Sequence, residues 1–322
     1  MTEKNRSGSP YSPEYFYRWM LTIRTLELKL KELYIDHKIN GALHLSIGQE
    51  AVPVGVCAVL NDEDKIFSTH RSHGHYIGKT HDVEGAVAEL LGRADGCSRG
   101  YGGSMHLYNY AKGFLGGNGI VGGGISLALG SAFTAWYKNS GGIGAAFFGD
   151  GAANQGILHE TLNLAALLKL PFLAVCENNG IAATTPTAKS TAQQDRTKLA
   201  KAYDIPALSA DGSDVEAVYA AACKAAKHLR SGKGPFLLDL RTCRWEPHCG
   251  IIKDTRDQAE LDVWRNDRDP LKVLAGRYPE IFTAERTAEL ENEVGGRLEQ
   301  AVGKSLNSAA PDLAEFKNNF GV

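Results

Sequence analysis

Three short apolar runs constrain the fold more than any other feature: IGAAFF (143–148), PFLAVCE (171–177) and PFLLDLRT (235–242). Each is short enough for a strand, and stretches with helical spacing separate them, at 154–169 and 213–231. Wholly apolar strands alternating with helices argue an α/β fold, a central mostly parallel sheet covered by helices on both faces. Further helical patterns lie at 122–138 and 284–307. An amphipathic one lies at 13–37, marked by Tyr15, Trp19, Leu26, Leu30, Leu33 and Tyr34. In open parallel sheets, ligands sit at the carboxyl ends of the strands. Here those ends carry Asp150, Asn178-Asn179 and the segment CRWEPHCG (243–250), so polar groups are expected to converge on one rim.

Length and charge narrow the class. The 322 residues suit one large α/β domain, expected over 13–322 with a C-terminal helical extension, after a loose tail at 1–12. A formal charge of −2 gives no reason to expect a nucleic acid or an anionic membrane as partner. No apolar stretch approaches the roughly 18 residues of a membrane span, and the polar start MTEKNRSGSPYS has no signal-peptide core. The six cysteines are scattered without a CxxC pair, which reads as reduced thiols of a cytoplasmic protein. The glycines cluster between 96 and 156, and 96–119 reads as a long Gly-rich loop, functional or mobile.

Within that loop-and-strand frame, FFGDGAANQG (147–156) stands out. Asp-Gly alone is a common turn. Together with NNG (178–180) after the next strand, it suits a hard cation and a diphosphate: Asp150 offers a carboxylate, Asn179 an amide oxygen, and a backbone carbonyl just beyond a third ligand. The glycines let a diphosphate approach the backbone at a helix start. GGNGIVGGG (116–124) matches GxGxxG literally, but no strand precedes it and no acid follows at the expected distance, so a nicotinamide site is disfavoured. GHYIGKT (74–80) is one residue short of a P-loop. THRSHGHYIG (69–78) packs histidines and an arginine closely; without a nearby acid or Cys pair, it suits phosphate binding and proton transfer better than zinc. His44 and His248 are lone histidines, which are more often structural.

The run GDGAANQG…LNLAALLKLPFLAVCENNG resembles the thiamin-diphosphate motif. With HLSIGQEAVPVG (44–55), HRSHGHYIG (70–78), GGSMHLY (102–108), GGNGIVGGGISLALGSA (116–132) and SGKGPFLLDLRTCRW (231–245), the chain is similar to the alpha subunit of the decarboxylating component of 2-oxo acid dehydrogenase complexes. Pyruvate, branched-chain 2-oxo acid and acetoin dehydrogenases share this pattern. The resemblance spans roughly 15–270 and implies a thiamin-diphosphate-binding fold of the diphosphate-binding type. It implies Mg²⁺ held by Asp150, the Asn179 side chain and the Ile181 carbonyl. It further implies that Gly119 and Val121 touch the cofactor through backbone, that Gly151 and Ala152 offer amides to the diphosphate, and that Arg71 pairs with it. His73 and His248 would face the thiazolium, with His44 nearby.

The implied activity is cleavage of a carbon–carbon bond next to a carbonyl, with transfer of the acyl group to a lipoyl arm on an acyltransferase. The substrate would be a small 2-oxo acid or acyloin. The glutamate that activates the aminopyrimidine belongs to a beta subunit, so the resemblance implies an α2β2 heterotetramer with its active site between chains. Two other readings are an acyloin-forming carboligase or lyase subunit without a lipoyl partner, and a degenerate scaffolding subunit. The chain departs from the pattern at four positions. Ile181 replaces an aromatic residue, His70 stands where pyruvate-specific members commonly carry tyrosine, and Glu246 and Cys249 replace a histidine and the serine phosphorylated in animal members. Trp245 and Glu246 are expected to reshape the acceptor or substrate side.

Overall fold

The computed structural model describes residues 9–250 and 252–321. The chain opens with α1 (Pro13–Ile35), α2 (Ala51–Cys57), β1 (Lys65–Phe67), α3 (His73–Thr80) and α4 (Val83–Leu90). After a long loop come α5 (Gly123–Tyr137), β2 (Gly144–Gly149), α6 (Gly156–Leu167) and β3 (Phe172–Asn178). A small ribbon, β4 (Ile181–Ala182) and β5 (Thr185–Pro186), leads into α7 (Thr187–Ser190), α8 (Arg196–Lys201) and β6 (Ala207–Asp211). Then follow α9 (Val215–Arg230), β7 (Phe236–Arg241), α10 (Gln258–Asp267), α11 (Pro270–Arg277), α12 (Ala284–Asn307) and α13 (Leu313–Phe320).

The main sheet runs β1-β2-β3-β7-β6, every neighbouring pair parallel. Its central strands are apolar on both faces because helices cover both. On β2 the alternation is direct: Ala145 and Phe147 enter a core built with α1, α2, α3, α4, α9 and α12, whereas Ala146 and Phe148 enter a second core under α5 and α6. The three apolar runs are thus the three central strands, shifted by no more than a residue. The edges, β1 and β6, carry no such run: β1 is three residues of half-buried KIF and β6 a half-exposed ALSAD, so hydrophobicity alone does not mark them.

The first long helix begins where its chemistry dictates. Ser12 Oγ accepts from the Tyr15 amide at 3.1 Å, and Pro13 occupies the first turn, where its missing N–H costs nothing. Of the tail expected at 1–12, residues 1–8 lie outside the described residues. Residues 9–12 are not loose: Ser9 is buried, and Tyr11 stacks on Tyr15 at 4.4 Å between ring centroids.

The Gly-rich loop is built around one acid. Glu89, fully buried at the end of α4, accepts from the amides of Ser98 (2.7 Å), Gly100 (2.8 Å), Gly102 (2.7 Å) and Gly103 (3.0 Å). Gly100 has φ +76°, and a Cβ on Gly102 would meet the His106 carbonyl oxygen at 2.3 Å, so both positions require glycine. No helix among the described residues is long and apolar enough to cross a membrane.

Candidate active site

Four strand ends converge at the carboxyl edge of the sheet, one more than the apolar runs revealed. β1 delivers Ser68 to Arg71, β2 delivers Gly149 to Ala152, β3 delivers Asn179 and Ile181, and β7 leads into Arg244 and His248. Together they wall a cavity of about 370 Å³, completed by Ile120, Val121 and Gly122 at the start of α5. That volume falls in the range of small-molecule sites. The glycine stretch lies against the end of β1, with the Ser68 amide donating to the Gly116 carbonyl at 2.9 Å. Gly122 caps α5 with φ +82°.

Asp150 is 1% exposed. Its carboxylate accepts from the Thr187 hydroxyl, and its backbone carbonyl accepts from Arg196 at 3.4 Å. Burial raises its pKa, opposed by the Thr187 hydrogen bond. Asn179 folds its amide oxygen back on the Ile181 amide at 3.2 Å, which brings the Ile181 backbone to the same wall. A buried carboxyl group beside an amide oxygen and a backbone carbonyl is a donor set for a hard cation.

Across the cavity stand two guanidiniums. Arg71 donates to the Leu45 carbonyl and to the His248 carbonyl at 3.1 Å, and among the described residues it has no carboxylate within ion-pair distance. Arg244 donates to the Ala183 carbonyl at 3.3 Å, and its Nη1 is buried without a partner. Burial, then repulsion by Arg244, pulls Arg71 down to about 9; burial, then Arg256, pulls Arg244 down to about 10. Two desolvated cations with no carboxylate in ion-pair contact among the described residues suit a polyanion.

The histidines sort differently from their spacing in sequence. His70 and His248 reach the cavity wall, and His44 packs against both, with ring centroids 4.6 Å and 5.1 Å away. His73 does not reach it. It opens α3, so its side chain turns back onto α1, where Nδ1 meets Glu27 at 3.0 Å and Nε2 meets Ser104 at 2.9 Å. Burial alone would raise the Glu27 carboxyl, but His73 and Ser46 outweigh it and hold it below the usual range. His73 therefore locks α1, α3 and the Gly-rich loop together behind the site. His75 Nδ1 meets Ser68 at 2.8 Å, while Nε2 lies 3.2 Å from Glu177 without hydrogen-bond alignment. GHYIGKT is helical, and Lys79 is buried against the Asn61 carbonyl and does not line the cavity.

Of the other expected residues, Val121, Gly151, Ala152 and Ile181 line the cavity; Gly119 lies just outside, between the lining residues Asn118 and Ile120. Gln49, Glu177 and Arg244 line it without having been singled out. Arg244 carried a legible signal, a cation just past a central strand. Glu177 is the last apolar-run residue before the asparagines. Trp245 and Glu246, expected to reshape the acceptor or substrate side, meet α1 and do not line the cavity: Arg24 lies over the Trp245 ring at 4.2 Å, and Lys31 pairs with Glu246 at 2.9 Å.

The family described as dehydrogenase E1 component matches residues 18–313. The chain is 42% identical over 309 residues to the alpha subunit of acetoin:2,6-dichlorophenolindophenol oxidoreductase of Bacillus subtilis, covering 96% of this chain and 93% of that one. It is 43% identical over 316 residues to the pyruvate dehydrogenase E1 component subunit alpha of Zymomonas mobilis, covering 95% and 88%. The corresponding subunit of Rhizobium meliloti is 39% identical over 305 residues, covering 93% and 87%. With the matched region taking in every element that walls the cavity, the chain belongs to the dehydrogenase E1 component family.

Proposed function

We propose that the protein is the alpha subunit of a thiamin-diphosphate-dependent 2-oxo acid or acetoin dehydrogenase. The family implies the cofactor, a partner beta subunit and a complex with a lipoyl acyltransferase. The observation that carries the reading is that one cavity is walled by a buried acid and two buried guanidiniums with no carboxylate in ion-pair contact among the described residues. A cation–diphosphate pair satisfies both sides at once. Asp150, the Asn179 amide oxygen and the Ile181 carbonyl would hold Mg²⁺. Arg71 and the backbone at Gly151 and Ala152 would hold the diphosphate, and Val121 would meet the ring portion.

Bound thiamin diphosphate supplies the electron sink for breaking a bond beside a carbonyl. The chain supplies position and protons. His248 is held near 4, chiefly by burial and then by Arg71, so at neutral pH it is an uncharged imidazole that donates or accepts a hydrogen bond at the substrate side. The partner's glutamate would complete the site. Calorimetry of thiamin diphosphate with Mg²⁺, run beside NAD, tests the reading. Tight binding that requires Mg²⁺ and Asp150 is expected, whereas NAD binding alone would sink it.

A further inference from the structure

We propose that His44, His70 and His248 form a reversible site for a zinc-class metal ion, distinct from the oxygen-ligand site at Asp150 and overlapping the substrate side of the cavity. One ligand atom from each ring lies within 4.8 Å of the other two, and among the described residues no other group of three His, Cys, Asp or Glu side chains converges in this way. The three come from separate segments, ahead of α2, after β1 and after β7, so no local spacing announces them. The close histidine cluster at 69–78 contributes only His70, because His73 and His75 turn toward Glu27 and Ser68.

The chemistry suits a borderline cation and not magnesium. Three imidazoles with an open fourth position are a familiar zinc donor set, with bonds of about 2.0–2.1 Å. Neutral imidazole is the ligating form, and burial holds His44, His70 and His248 at about 4, 3 and 4. No hydrogen bond joins any of the three rings to a protein group among the described residues, and His44 Nδ1 is buried without a partner. Closing from 4.8 Å to tetrahedral spacing therefore breaks nothing and needs roughly an ångström of ring rotation. The fourth position faces the cavity through His70 and His248.

Two features set the strength. No carboxylate backs the rings, a support whose loss costs about 10–100-fold in affinity. Arg71 repels a dication, although its guanidinium is already committed to two carbonyls. Binding is then weaker than at a carboxylate-backed site and reversible, as suits a brake and not a structural ion. That it inhibits rests on the function proposed above, since occupancy withdraws His248 from proton transfer; that it binds does not.

Co²⁺ titration of the full-length chain reads the site directly. Intense visible absorption of four-coordinate cobalt is expected to saturate at one ion per chain, to be displaced by Zn²⁺, and to persist in Asp150→Ala. In His70→Phe and His44→Phe, binding should weaken by at least about 100-fold. As a check that needs no variant, Zn²⁺ should protect His44, His70 and His248 of the wild-type chain from diethylpyrocarbonate. Six-coordinate spectra alone, bands that survive both histidine substitutions, or unprotected histidines would overturn the proposal. Mg²⁺-dependent thiamin diphosphate binding tracks Asp150 instead, so failure of one site leaves the other's readout intact.

Discussion

Asp150 shows how function is carried at a cost. Its carboxyl is buried, raised by desolvation, and stabilised within the chain mainly by one hydroxyl. Burial therefore disfavours the charged form of this carboxyl in the ligand-free protein, and a bound cation would offset that penalty. Asp150→Asn keeps an acceptor for Thr187 and deletes the charge. The ligand-free variant should be more stable than the wild type by about 0.5–2 kcal/mol, the gain typical when a strained functional group is neutralised. Mg²⁺-dependent cofactor binding should disappear. Urea unfolding and calorimetry on the same preparations check both halves, and a less stable variant would mean that Asp150 is a structural group. Asp150 and Asn179 were legible in the sequence because each stands just past an apolar strand, where local order places it, whereas Arg71 follows the unmarked edge strand β1 and stood out only by its dense polar cluster. The histidines were legible only in part: His248 reaches the cavity wall with His44 against it, His73 does not reach it, and His70 takes a place on the wall instead. Which of His70, His73 and His75 faces the cavity depends on the residue at which α3 begins, and the meeting of His44 with His248 spans about two-thirds of the chain.

Elements show the same division between local and distant causes. The central strands were legible as unbroken apolar runs because both their faces are buried, and α1, α9 and α12 because burial of one face imposes a period. The short helices around the site and both edge strands lack that period and are set by tertiary contacts. The Gly-rich loop is the clearest case, since its glycines suggested mobility and its order comes from Glu89, outside it. Both Glu89 oxygens accept from two amides each, so an amide side chain would turn donors toward donors. Glu89→Gln should therefore cost nearly as much as Glu89→Ala, about 3 kcal/mol, and expose 96–105 to proteolysis. A Gln variant as resistant as the wild type would refute the amide-binding role. At the other end of α3, His81 caps the helix with φ +58° and stacks on Trp19 at 3.8 Å. Burial, then Lys112 and Arg297, lowers it from 6.5 to about 4. A depressed histidine lends stability that is full above pH 6.5 and lost as pH falls toward 4. Asparagine tolerates the left-handed cap and does not titrate. His81→Asn should then show a shallower fall of melting temperature across that window; the depressed histidines at 44, 70 and 248 keep the slope from vanishing.

On the scale of the whole molecule, α5 is apolar on two sides. Ile125, Ala128, Leu129 and Ala132 pack on the sheet. Leu127, Phe133, Trp136 and Tyr137 face outward, with Leu127 52% and Tyr137 76% exposed. A helix that is hydrophobic all round is ordinarily buried all round. Leu164 and Leu167 of α6 are exposed as well. At the start of α5 sit Ile120 and Val121, which are exposed and also wall the cavity. Whatever covers α5 is thus placed to close the mouth of the cavity, and the partner subunit that the family implies is expected to cover this face. Leu127→Glu separates assembly from folding. The side chain is already half in water, so the isolated variant should unfold within about 0.5 kcal/mol of the wild type. A charge buried without a partner in a subunit interface costs several kcal/mol, enough to prevent association at micromolar concentrations. When the variant is co-expressed with the partner subunit, sedimentation should show the two chains apart, and turnover should be lost. Trp136 fluorescence should shift to shorter wavelength on mixing wild-type chains and stay unchanged for the variant. Normal assembly of Leu127→Glu would mean that the partner covers another face and that the cavity is closed from elsewhere.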